Sequence, residues 1–180
     1  MSADIGTQTG SDPQAGSDTR AARGSRKLGL HDRALRLLAV RMRSRRELEQ
    51  RLVRAGFERD EVAAELVRLE EAGLLDDEAF ADALTEQAIT SRKGGRAIAN
   101  ALYAKGIDRS TIDRAVEGSR EGEFDRAMEF AEGRARRMTG LPDAKAFQRL
   151  SSALMRRGFS PDTSRTVARK ALDVEGSDEA

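Results

Sequence analysis

Along most of the chain, apolar residues recur at intervals of three and four. Leu35, Leu38 and Met42 fall at i, i+3, i+7, and Val62, Leu66 and Leu69 at i, i+4, i+7. Phe124, Ala127, Met128, Ala131, Ala135 and Met138 hold a single stripe for four turns. Such spacing gathers side chains on one face of a helix. No run alternates with the two-residue period of a strand. Residues 1–28 are rich in Ser, Gly, Thr, Asp and Gln and nearly devoid of apolar side chains. Such a segment cannot offset the entropy of ordering. A disordered N-terminal tail is predicted over 1–28, and a similar C-terminal tail over 175–180.

An internal repeat organises the helical region. Leu52-Val53-Arg54-Ala55-Gly56-Phe57 recurs as Leu102-Tyr103-Ala104-Lys105-Gly106-Ile107 and again as Leu154-Met155-Arg156-Arg157-Gly158-Phe159. The spacings are 50 and 52 residues, and Leu48, Ile98 and Leu150 precede each leucine by four. A helix that ends with glycine in the left-handed conformation commonly packs the next apolar residue back on its last turn. The glycine and Phe57, Ile107 or Phe159 fit those two places. Leu69, Gly73 and Leu74 make a fourth instance outside the repeat.

Start signals agree with the stops. Ser44 with Glu47 forms a capping box, and Asp108 and Ser160 stand where N-caps belong, with Pro161 next. Asp76 caps a further helix, its neighbours Leu75 and Phe80 lying at hydrophobic-staple positions. The predicted architecture is all-α: three tandem three-helix units, over 30–73, 74–118 and 122–174, forming an elongated, curved, modular rod. Three short helices give a marginal core, so neighbour interfaces should contribute to stability.

Composition narrows the chemistry. Apolar residues are 38% and charged residues 35% of the 180, so the core is thin. There is no Cys and one His, which excludes disulfides, thiolate zinc sites, cysteine nucleophiles and histidine clusters. No segment approaches the ~20 apolar residues of a membrane helix. No signal peptide opens the chain, and a cytosolic protein without cofactor or metal is expected. No Gly-Lys pair or Gly-x-Gly-x-x-Gly occurs, so phosphate-loop motifs are absent. Gly94-Gly95 is read as an inter-helix connection. His31 is read as a surface or capping residue, and Asp76-Asp77-Glu78 as a helix start rather than a cation site. The methionines read as packing filler. Nothing supports catalysis.

These residues resemble a known family. Arg43-Ser44-Arg45-Arg46-Glu47-Leu48, then Leu52 and Gly56-Phe57, then Gly73 through Ala81, look like the RecX family. So do Ser91-Arg92 and the run from Ile98 and Leu102 to Lys105-Gly106-Ile107. The resemblance spans residues 30 to 172. The third unit departs at Ser164, which stands where the others have Val62 and Ile112. The resemblance implies tandem three-helix units and a non-catalytic inhibitor of the RecA recombinase. Such a protein would bind the RecA–single-stranded DNA filament and restrain its growth, ATPase and strand exchange.

Net charge is +1, but charge is segregated. Glu58 to Glu86 holds 11 acidic and 2 basic residues, and Arg126 to Lys170 holds 11 basic and 4 acidic. Arg45 and Arg46 sit at the positive end of a helix dipole, an unfavourable place for cations, and Arg43 adds to the repulsion. Arg92, Lys93 and Arg96 crowd the equivalent start in the second unit. These residues, with Arg134, Arg136 and Arg137, are the candidate contacts to a recombinase surface or to single- or double-stranded DNA backbone. A monomer is expected. The alternative is a helix-turn-helix-like DNA-binding protein with largely non-specific phosphate contacts. The helices after Gly56, Gly106 and Gly158 carry Arg59, Arg109 and Arg165 but no Asn or Gln for base reading.

Overall fold

The computed structural model describes residues 29–172, so both predicted tails lie outside the described residues. Among the described residues there are nine α-helices and no strand. The first unit comprises α1 (Leu30–Val40), α2 (Arg45–Arg54) and α3 (Arg59–Glu71). The second comprises α4 (Asp77–Thr90), α5 (Gly95–Ala104) and α6 (Arg109–Gly118). The third comprises α7 (Glu123–Ala135), a 3-10 turn (Arg136–Met138), α8 (Asp143–Arg156) and α9 (Pro161–Ala171).

The predicted stops form as expected. Gly56, Gly106 and Gly158 have φ of 95°, 77° and 92°. In each, the amide after the glycine donates to the leucine five residues back: Phe57 to Leu52, Ile107 to Leu102 and Phe159 to Leu154. Gly73 closes α3 likewise, with Leu74 donating to Leu69 at 2.9 Å. The left-handed residue costs glycine nothing sterically, and the two extra bonds satisfy carbonyls that a helix end leaves open. The caps form too. Ser44, Asp108 and Ser160 accept from the amides of Glu47, Thr111 and Thr163, and Asp76 from those of Glu78 and Ala79.

Each unit has its own small core. Leu48, Leu52, Val62, Leu66 and Leu69 are buried in the first; Phe80, Ile98, Leu102 and Ile112 in the second; Leu150, Leu154, Phe159 and Val167 in the third. The expected staple is divided, because Leu75 packs into the first core and Phe80 into the second. The linker residue thus fastens α4 to the unit before it. Ser164 occupies a core position with its hydroxyl buried and unpartnered.

The units meet end to end through their middle helices. The Ser44 hydroxyl at the start of α2 donates to the Lys105 carbonyl at the end of α5, at 2.7 Å. At the start of α5, the Gly94 and Arg96 amides donate to the Arg157 and Gly158 carbonyls at the end of α8, at 3.1 and 3.0 Å. The N-terminus of each middle helix therefore rests on the C-terminal turn of the next unit's middle helix, where opposite partial charges meet. By the repeat offset Ala146 corresponds to Ser44 and Gly94, yet it is buried inside α8, which begins a turn earlier. The stack ends there; at the other end Gly56 is exposed, with open space around it.

Candidate functional site

The basic residues singled out from sequence divide into those consumed by the fold and those left on the surface. Arg43 differs from expectation. It is only 6% exposed, its Nε donates to the Leu37 carbonyl at 2.9 Å and its Nη1 to Glu47 at 2.8 Å. Burial, with Arg41 and Arg51 nearby, lowers its pKa from the ordinary guanidinium value. It ties α1 to α2 and presents no charge outward. Arg45 donates through Nε to Glu70 at 2.8 Å, and its backbone amide donates to Asp77 Oδ1 at 2.7 Å. Burial pushes the Asp77 carboxyl above its ordinary range, a shift the Arg45 amide partly opposes. The repulsion expected at this helix start is thus offset by acids from α3 and α4.

Glu47 is the centre of this corner. Arg41, Arg43 at 2.8 Å, Arg51 at 3.6 Å and Lys105 at 3.3 Å surround its carboxylate. Burial alone would raise the Glu47 pKa; bonds from Arg41 and Lys105 outweigh it and hold the group below the usual glutamate range. Lys105 belongs to the second unit, so this ion cluster also joins the units. The second half of the predicted capping box does not form a reciprocal bond: Glu47 serves the cations instead.

Arg92 is the one non-glycine residue among those described with positive φ, 52°. It takes the left-handed place at the end of α4, where the Lys93 amide donates to the Ala88 carbonyl at 2.9 Å. Its Nε donates to Glu129 of the third unit at 2.7 Å. A β-carbon in that conformation is strained, and the inter-unit ion pair partly offsets the strain. Gly94 and Gly95 form the cap and first residue of α5, as a connection should. Their amides are already occupied by the Arg157 carbonyl and the Glu123 carboxylate. That helix start has its anion within the protein.

Arg46, Lys93, Arg96, Arg134, Arg136 and Arg137 remain exposed. None of them has a side-chain hydrogen bond or ion pair among the described residues. Arg134 lies 5.8 Å from the centroid of the Phe130 ring. The structure brings Arg134 and Arg137 together in one cleft of about 560 Å³ with Arg149 and Arg156 of α8, and leaves Arg136 outside it. Arg149 and Arg156 were not singled out from sequence. Their signal was there: with Ser152 they fall at i, i+3, i+7, turned away from the buried Leu150 and Leu154. His31 is not the cap of the first helix but its second residue. It bonds the buried Glu65 at 2.7 Å, and Glu78 pairs with Arg114 at 3.0 Å. No cluster of acidic or histidine side chains suited to a metal occurs among the described residues. No described helix is long and apolar enough to cross a membrane.

Comparison with known proteins adds to this geometry. Three domain families match in chain order: "RecX, first three-helix domain" over residues 31–69, "RecX, second three-helix domain" over 76–116, and "RecX, third three-helix domain" over 121–168. The chain is 37% identical over 147 residues to the regulatory protein RecX of Chlorobaculum tepidum, covering 81% of this chain and 90% of that one. It is 40% identical over 154 residues to that of Mycolicibacterium vanbaalenii, covering 80% and 84%. Among solved structures, RecX from Lactobacillus salivarius superposes with a TM-score of 0.73 at 24% identity, covering 81% of this chain and 96% of that one.

Proposed function

The chain belongs to the RecX family, and from that premise we propose that it is a modulator of the RecA recombinase. In this reading it inhibits by binding the RecA–single-stranded DNA filament, restraining filament growth, ATP hydrolysis and strand exchange. The observation that carries the reading is the match of all three domains, in order, to the family of regulatory proteins. The modular fold suits that role, because many weak contacts spread along a rod gain strength by acting together.

The contacts to the filament are assigned to the surface cations that the fold does not consume: Arg46, Lys93, Arg96, Arg134, Arg136 and Arg137. Arg43, Arg45 and Arg92 hold the scaffold that presents them. Of the three arginines on which the helix-turn-helix alternative rests, Arg109 pairs with Asp113 at 3.0 Å and Arg165 with Asp162 at 2.6 Å within their own helices. Only Arg59 is exposed without such a pair among the described residues, beside Arg46 and Arg54.

The test is DNA-dependent ATP hydrolysis by the host's own RecA, with this protein titrated in below stoichiometry. Loss of activity at a small ratio to RecA supports the reading. Unchanged hydrolysis at excess, together with binding to duplex DNA alone, overturns it in favour of a DNA-binding protein.

A further inference from the structure

We propose that the cleft between the end of α7 and the outer face of α8 is a binding site for closely spaced phosphate groups. It shares Arg134 and Arg137 with the filament contacts proposed above, and its test uses this chain alone so that the two readings can fail separately. Four arginines line the cleft, Arg134 and Arg137 on one side and Arg149 and Arg156 on the other, with Gln148 and Ser152 beside the latter two. No carboxylate lines it. Arg137, Arg149 and Arg156 have no ion pair or hydrogen bond among the described residues, and Arg134 has only the ring of Phe130.

The rest of the molecule shows how unusual this is. Arg41, Arg43 and Arg51 share Glu47, Arg45 takes Glu70, and Arg114 takes Glu78. The cleft lined by Arg46, Arg54 and Arg59 also holds a carboxylate, that of Glu49. Here the fold supplies none, and the cavity walls concentrate the field of four like charges. Such a site is completed by an anion.

The geometry favours phosphate over carboxylate. A guanidinium fork binds either group through two parallel bonds. One phosphate offers enough oxygens for two forks, so two phosphates engage all four arginines. A carboxylate can also be shared, as Glu47 is, but an acidic peptide would have to bring its carboxylates on separate side chains, with their backbone, into about 560 Å³, whereas a phosphate chain carries its charges on adjacent groups. Gln148 and Ser152 add neutral donors suited to the remaining oxygens. Two sources carry this chemistry: the backbone of a nucleic-acid strand and a free nucleotide polyphosphate.

Both sources are tested on the full chain with Arg149→Ala/Arg156→Ala, whose altered side chains are exposed, and with Lys145→Ala, an exposed cation of α8 outside the cleft, as control. The probes are a labelled oligothymidylate, ATP, inorganic pyrophosphate and polyglutamate. If the source is a strand, oligonucleotide affinity falls at least about tenfold in the double variant. The slope of log affinity against log salt then flattens by about 0.7, the share of the one single-strand phosphate contact that two of the four arginines hold. If the source is a free polyphosphate, ATP or pyrophosphate raises the melting temperature of the natural protein and not of the variant. Equal response of both proteins to all phosphate probes overturns the proposal. So does a loss confined to polyglutamate, or an equal loss in Lys145→Ala, which would reflect diffuse charge rather than this cleft.

Discussion

The two junctions between units perform the same stacking with different chemistry. Between the first and second units the bonds come from side chains: the Ser44 hydroxyl, the Asp77 carboxylate and the Glu47–Lys105 pair. Between the second and third, backbone meets backbone, at Gly94 with Arg157 and Arg96 with Gly158. The glycines show the contrast most directly. A β-carbon on Gly158 would collide with the Ala97 amide nitrogen and Cα, whereas on Gly106 it would meet the Arg46 side chain, chiefly its movable Cδ, with Cβ at 2.8 Å. One junction is rigid and intolerant of added atoms. The other is adjustable and depends on charge.

The largest test of that contrast is a series of three equivalent substitutions. Gly158→Ala should cost about 3 kcal/mol, combining a left-handed residue with a clash that only backbone movement relieves. Gly106→Ala should cost about 2 kcal/mol, since the Cγ and Cδ of Arg46 can swing aside and only its Cβ, at 2.8 Å, needs a small shift. Gly56→Ala, in open space, should cost about 1 kcal/mol for its φ alone. Urea unfolding of the three variants measures the order. Equal losses would mean that the junctions do not differ.

Next in size is the charge on which the first junction depends. Glu47→Gln should lose about 1–2 kcal/mol at neutral pH. The fold favours the ionised carboxylate, so its contribution is complete above the ordinary glutamate value of about 4.3 and vanishes as pH falls through the lower native value. Melting temperatures of the natural protein and the variant should therefore converge as the solution is acidified below about pH 4. A gap that stays constant throughout that acidification would remove ionic control from the junction.

The smallest effect belongs to the ion pair of the rigid junction. Arg92 and Glu129 are 52% and 60% exposed at their side chains. Glu129→Gln should change stability by less than about 0.5 kcal/mol. A loss as large as that of Glu47→Gln would show that both junctions depend on charge.

Much of this fold was legible in the sequence, because its signals are local. The left-handed glycines, the apolar residue after each and the Ser or Asp caps act within one turn of helix, so spacing alone placed Gly56, Gly106, Gly158, Ser44, Asp108 and Ser160. The candidate site was legible only in part. Charge is visible in a sequence, but its partners are not. Arg43 is close to Arg45 in the chain, yet its guanidinium reaches back to Leu37 and inward to Glu47, a result of how α1 crosses α2. Arg92 gave no sign of a left-handed backbone, since glycine is the residue that marks such a place. Arg149 and Arg156 carried a periodic signal on α8, but the two arginines that complete their cleft come from a different helix and a 3-10 turn.

The head-to-tail order of the middle helices gives this molecule a direction. At each junction the negative end of one helix abuts the positive end of the next, so these partial charges largely cancel. What remains is about half a negative charge at the exposed turn of Gly56 and about half a positive charge at the start of α8. With 10, 10 and 14 residues in the three helices, the two poles are separated by a contour of about 50 Å. A body with unlike ends does not present the same face when reversed. Against any partner that itself has a sense of direction, this chain is an arrow and not a bar, and only one of its two alignments can be the bound one.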